Sequence, residues 1–170
     1  MRYAMHTLSF EECSDLQKKW ALYAGAKCAE KIRQSLLALK KLRVDWIGLP
    51  AGLKGKLGIT LLPGRKDRDR DLSEDLQTLK EAGITHIVCL MTHEEMTAFG
   101  VPELLKAYED AGFEVFHFPI LDQGITEPEL ALPLYGFMEQ GLKQGKNILI
   151  HCVGGLGRSG MMAAAFLKRQ

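Results

Sequence analysis

Apolar positions from Ser9 to about Leu42 recur near the helical period: Leu16, Trp20, Tyr23, Cys28, Ile32, Leu36 and Leu39. Ser9 and Glu12 have the spacing of a capping box, so the pattern predicts one long helix, or two broken near Gly25. Lys40, Lys41 and Arg43 follow where cations suit a helix C-terminus, and read as its solvated end. The period then changes. Residues 44–49 and 57–62 are short apolar stretches separated by Pro50, Gly52 and Gly55, which predicts two strands and a glycine-rich turn. The mixed charges from Arg65 to Asp71 read as a solvated loop.

Beyond this point helical and strand patterns alternate. Ser73 is placed to cap a helix ending at Gly83, and residues 84–91 form an apolar strand. Thr92 and Glu95 make a second capping box, Pro102 opens a helix that stops at Gly112, and residues 113–119 are a strand. Thr126, Pro128 and Glu129 mark a further helix start, Gly145 its stop, and residues 147–151 a buried strand ending on Cys152. Such alternation predicts an α/β fold with a central, mostly parallel sheet and helices on both faces. The expected organisation is an N-terminal helical extension over residues 1–46 and one domain over residues 47–170.

Composition narrows the function. A chain of 170 residues, 46% of them hydrophobic, has room for one continuous core. With 22 basic and 21 acidic residues it carries no overall field that would draw it to nucleic acid or an anionic membrane. Any anion binding must therefore be local. No apolar run approaches a membrane span and residues 1–10 lack a signal-peptide profile, so a cytoplasmic protein is expected. Cys13, Cys28, Cys89 and Cys152 are too few and irregular for a disulfide framework or a zinc site, and predict reduced thiols with no metal.

The segment from Ile148 to Gly160 concentrates the chemistry. A hydrophobic strand runs into His151-Cys152-Val153-Gly154-Gly155-Leu156-Gly157-Arg158-Ser159, and then into an alanine-rich helical stretch. Between a strand end and a helix N-terminus, successive backbone N–H groups can converge on one tetrahedral anion, and Gly154, Gly155 and Gly157 allow a close approach. The same field lowers a cysteine pKa to roughly 3.5–7.5, so Cys152 is expected to be a thiolate at neutral pH. Arg158 offers a planar fork for two phosphoryl oxygens, and Ser159 is placed to donate toward the sulfur. The bland alternative is an inert buried cysteine in a strand-to-helix turn, but such a turn needs one glycine rather than three. His151 points to the other side of the strand, as loop support or as an ordinary core histidine.

His151-Cys152-x-x-Gly155-x-x-Arg158-Ser159-Gly160 resembles the signature of the protein-tyrosine and dual-specificity phosphatases. Over residues 52–167 the chain resembles the cyclin-dependent-kinase-associated branch, through Leu62-Pro63-Gly64, the run from Val101 to Leu105, the run from Pro119 to Gly124, and the loop from Cys152 to Ser159. The resemblance implies a dual-specificity phosphatase-like fold and a cofactor-free hydrolysis of phosphate monoesters. It also implies a general acid on a loop, and Asp122 is the matching residue. Glu127 and Glu129 compete for that role, and a plain turn-forming part for Asp122 stays open. Family members usually continue with further helices after the one following the signature, whereas this chain ends at Gln170 with those helices short or absent.

Three readings follow. The first is an enzyme acting on phosphoproteins, phosphopeptides or small phosphate esters through a phosphocysteine. The second is a pseudophosphatase that binds phosphate without turnover. The third is thiol chemistry of the arsenate-reductase kind, with Cys89 the only candidate partner, also considered as a redox partner that resolves oxidised Cys152. The N-terminal helix offers a homodimer interface. Val153 and Leu156 bring no lysine to the loop, which favours phosphoprotein over a highly charged inositol lipid.

Overall fold

The computed structural model describes residues 19–20, 22–31 and 41–170. The chain divides into two units, residues 1–40 and 41–170. In the first, residues 22–31 are helical and run through Gly25 without a break. Trp20, Leu22 and Tyr23 are exposed, and the rings of Trp20 and Tyr23 meet edge to face at 6.0 Å. Ser9, Glu12, Leu16, Ile32, Leu36 and Leu39 lie outside the described residues.

The expected boundary after residue 46 moves to residue 40. Leu42 is buried with Leu62 and Leu79, and Thr60 Oγ1 donates to the Arg43 carbonyl at 2.7 Å, so residues 41–46 fold with the sheet. That sheet contains β1 (Asp45–Ile47), β2 (Leu57–Thr60), β3 (His86–Cys89), β4 (Glu114–His117) and β5 (Ile148–His151). Its order is β1-β2-β5-β3-β4. Among the described strands only the β1–β2 pair is antiparallel. The central strand β5 is buried at every position and reads Ile148-Leu149-Ile150 before His151, as burial on both faces requires. In register, Thr60 and Cys89 both sit beside His151, and His117 beside Cys89, so four parallel strands end at one edge. An α/β sheet binds its ligand at that edge.

Helices α1 (Leu72–Glu81), α2 (His93–Ala98) and α3 (Leu104–Asp110) cover one face. Leu79, Met96, Leu104 and Tyr108 pack there against Ile87, Cys89 and Leu149. On the other face α4 (Leu132–Lys143) and α5 (Gly157–Arg169) bring Leu134, Met138, Met162 and Phe166 onto Leu57, Val88, Ile148 and Ile150. The two-sided α/β architecture is thus as predicted, with one antiparallel edge strand added.

Three local expectations are corrected. Asp71, not Ser73, caps α1: its Oδ1 accepts the Glu74 N–H at 3.0 Å, and the Ser73 hydroxyl donates to the same carboxylate. The helix expected from Thr126, Pro128 and Glu129 begins only at Leu132, with proline in its first turn, so residues 126–130 are loop and turn. The charged run is not simply solvated. Arg70 clasps the buried Asp75 at 2.8 and 2.6 Å, Asp75 accepts the Gly64 N–H at 2.8 Å, and Arg65 is buried. Opposite charges two and five positions apart let each arginine be neutralised on the spot, which makes burial tolerable.

Candidate active site

Strand β5 delivers Cys152 to the ligand-binding edge, and the chain turns through residues 153–156 into α5. The fold itself demands glycine in that turn at one position. Gly155 has φ +77°, and a Cβ there would lie 2.5 Å from the backbone of Thr60 and Leu61. Among the described residues, chain neighbours aside, nothing comes within 4 Å of a Cβ built on Gly154 or Gly157, so those two are not forced by packing. The Leu62 N–H donates to the Val153 carbonyl at 3.1 Å, which binds the loop to the end of β2.

Cys152 is almost wholly buried and its sulfur accepts the Gly155 N–H at 3.3 Å. Burial works against ionisation of the thiol. The Ser159 hydroxyl and N–H, the Gly155 N–H and the Arg158 charge outweigh it, and hold the pKa below the ordinary thiol value. Ser159 Oγ is fully buried and has no hydrogen-bond partner at ordinary geometry, so its pull on the sulfur is a loose electrostatic one.

Arg158 is buried and held by several hydrogen bonds. Its Nη1 donates to Glu95 Oε2 at 2.8 Å and to the Ile120 carbonyl at 2.7 Å, and its Nη2 to Glu95 Oε1 at 2.7 Å. Glu95 also completes the capping box of α2, since its Oε2 accepts the Thr92 N–H at 3.0 Å. Burial would raise the Glu95 pKa, but Arg158 and that N–H hold it below the usual carboxylate range. The same pairing raises Arg158 further above its ordinary value, against the effect of burial. A guanidinium gripped along one side keeps its remaining N–H groups in a fixed plane, which is what recognition of an oxyanion needs.

Asp122 lies on the loop after β4, which is tied down by the Ile120 contact to Arg158. Its Oδ1 is 3.5 Å from Arg158 Nη2, and its side chain is 71% exposed. Gln123 takes a left-handed φ of +58° and the Gly124 N–H donates to the Leu121 carbonyl at 2.8 Å, closing a tight turn around Asp122. Asp122 is therefore both a turn residue and a carboxylate at the guanidinium. Glu127 and Glu129 are exposed in the following loop.

His151 and Cys89 sit behind the loop. The His151 Nε2 shares a 3.0 Å hydrogen bond with the Tyr108 hydroxyl, and complete burial pushes its pKa down to about 4 despite a backbone contact at Cys152 that opposes the shift. The imidazole is neutral at pH 7. Cys89 pairs with His151 in register and so faces with it, among Ile87, Met91 and Leu149. Cys152 is on the opposite face with Ile150 and Met162. Burial pushes the Cys89 thiol up to about 12. Cys89 and Cys152 thus belong to the clusters on opposite faces of the sheet.

Residues 30–169 match the family described as cyclin-dependent kinase inhibitor 3 (CDKN3). The chain belongs to that family, within the dual-specificity phosphatase superfamily. It is 34% identical over 129 residues to the cyclin-dependent kinase inhibitor 3 of Homo sapiens, covering 74% of this chain and 61% of that protein. The match thus spans less than two thirds of the human relative's length. Its structure is similar to that of kinase associated phosphatase carrying serine in place of the catalytic site cysteine, with TM-score 0.72 and 32% identity, covering 76% of this chain and 74% of that one. The dual specificity protein phosphatase PHS1 of Arabidopsis thaliana is 30% identical over 99 residues, covering 58% of this chain and 10% of that protein.

Glu95 and Tyr108 are supporting residues that the sequence reading does not assign to the site. Glu95 was fully explained by the capping box, which hid its second task of holding Arg158. Tyr108 fits the helical spacing of α3 as a core residue, and only the register of the sheet brings its hydroxyl to His151.

Proposed function

We propose that the chain is a protein phosphatase that hydrolyses phosphate monoesters through a phosphocysteine. The Cys152 thiolate attacks phosphorus and forms an S–P bond as the P–O bond to the leaving group breaks. Asp122 supplies the proton to the departing oxygen. Water then attacks phosphorus, Asp122 takes its proton, and the S–P bond breaks to release inorganic phosphate and restore the thiolate. Arg158 and the loop N–H groups hold the transferring oxyanion throughout. We place this activity in the cytoplasm, whose reducing poise keeps the thiolate competent.

The observation that carries this reading is the buried sulfur at the β5 terminus with a lowered pKa, beside an arginine whose plane is fixed by Glu95. The names of the relatives make phosphorylated kinase segments the first substrates to try. The test is a rapid-quench reaction with p-nitrophenyl phosphate and with phosphotyrosine and phosphothreonine peptides. A burst of product matching the enzyme concentration, with phosphate trapped on the Cys152 peptide, is expected. Phosphopeptide binding with no turnover of any ester would replace the enzyme with a phosphate-reading module.

A further inference from the structure

Arg65 sits behind the phosphate-binding loop and is occupied on every side. Its Nε donates to Asp67 Oδ1 at 2.7 Å, its Nη2 to Asp67 Oδ2, and its Nη1 to the Val153 carbonyl at 3.0 Å. The guanidinium carbon lies 4.9 Å from the centre of the Phe99 ring, and the Phe99 carbonyl accepts the Lys66 N–H at 3.0 Å. Residue 65 is only 6% exposed. Its charge is spent on Asp67, whose pKa is lowered chiefly by that hydrogen bond, so Arg65 is not a second phosphate ligand. What it reaches from behind is one carbonyl of the loop, the carbonyl that also accepts the Leu62 N–H.

That carbonyl matters because of peptide geometry. There are no cis peptide bonds among the described residues, and in a trans peptide the carbonyl and the following N–H point in opposite directions. A Val153 carbonyl held toward Leu62 and Arg65 turns the Gly154 N–H the other way. Rotation of this one peptide would remove a donor from the anion cradle and set a carbonyl dipole in its place. Gly154 has no side chain to resist such a rotation, and among the described residues beyond its chain neighbours nothing lies within 4 Å of where a Cβ would stand.

We propose that Arg65, braced by Asp67 and Phe99, is a positioning residue for the reaction, pinning the Val153 carbonyl so that the Gly154 N–H stays available to the substrate oxyanion. The role rests on the phosphatase reading for its purpose, but its test does not need turnover. Inorganic phosphate binding is measured by calorimetry on the Cys152→Ser protein with and without Arg65→Met, and p-nitrophenyl phosphate turnover on the Arg65→Met protein alone. Phosphate affinity and kcat/KM should both fall roughly ten- to a hundredfold, the cost of a cradle out of place by a fraction of an ångström to one ångström. The basic limb of the pH profile should persist, and Arg65→Lys, which keeps one donor, should recover part of the loss.

A folded Arg65→Met protein that binds phosphate as tightly as its parent overturns the proposal, as does a lowered melting temperature with affinity unchanged. If Arg65→Met does not fold, Arg65→Lys carries the same measurement, and undiminished affinity overturns it equally. Arg65-dependent phosphate binding by a protein that hydrolyses no ester would keep the pin and remove the phosphatase reading. A parent that binds no phosphate would remove the pin.

Discussion

The loop from Cys152 to Arg158 and the loop from Leu121 to Leu130 meet at one guanidinium, and they are built in opposite ways. In the first, Cys152, Arg158 and the adjoining Ser159 are buried, Gly155 is wedged against β2, and the Val153 carbonyl has two donors. In the second, Leu121, Ile125 and Leu130 stand exposed, and Asp122 touches the site through a single 3.5 Å ion pair. On the proposed mechanism, the stabilisation of developing charge is therefore organised before substrate arrives, whereas proton delivery rests on the position of a surface loop. Preorganised electrostatics and a covering loop are separable contributions to a rate, and substitutions should separate them.

The largest effect belongs to the buried loop. Cys152→Ser should lower turnover by roughly 10⁴-fold or more, since an alcohol held in the same cradle is a far poorer nucleophile. Phosphate or vanadate should still bind, because Arg158 and the loop amides are untouched. A steady-state assay paired with a binding isotherm checks both halves. Turnover near the wild-type rate would move the nucleophile elsewhere and dissolve the contrast between the loops.

A smaller and more selective effect belongs to the exposed loop. Asp122→Asn should slow hydrolysis of phenyl phosphate or a phosphopeptide by about 10²–10⁴-fold, the usual range for a general acid. An activated ester such as p-nitrophenyl phosphate should suffer less in single-turnover measurements, because its leaving oxygen needs little help. The basic limb of the pH profile should vanish with the carboxyl that must be protonated to donate. Equal losses on both esters with the limb intact would send the search to Glu127.

The same contrast explains what could be read from sequence. Strand β5, the glycine turn and α5 follow one another along the chain, so local pattern revealed Cys152, Arg158 and the parallel sheet together. What escaped came from residues distant in sequence. Glu95 reaches Arg158 across 63 positions, Arg65 reaches Val153 across 88, and Tyr108 reaches His151 across 43. Glu95 and Arg65 already had sufficient local explanations, as a cap and a solvated charge, and Tyr108 fits the spacing of α3 as a core aromatic. The helix start predicted from Thr126, Pro128 and Glu129 failed for the reverse reason, since good local signals were overridden where the chain must cross the site as a loop before Leu132.

The smallest effect concerns stability and sharpens the comparison further, because it locates a pH dependence under the buried loop. Burial holds His151 neutral, with its pKa pushed down from 6.5 to about 4. An unfolded chain takes up this proton near pH 6.5, while the folded one refuses it until about pH 4. The unfolded state therefore binds more protons across that window, and stability must fall as pH drops through it, with no contribution from this group above pH 6.5. A displacement of that size corresponds to about 3 kcal/mol when the window has been fully crossed. Urea denaturation at a series of pH values from 7 to 4 should show the decline in the wild type and a shallower one in His151→Asn. The difference between wild type and His151→Asn isolates this histidine from the other four in the sequence. If the two curves ran parallel, His151 would not be the buried neutral base beneath Cys152, and the hydrogen bond to Tyr108 would carry no pH-linked stability.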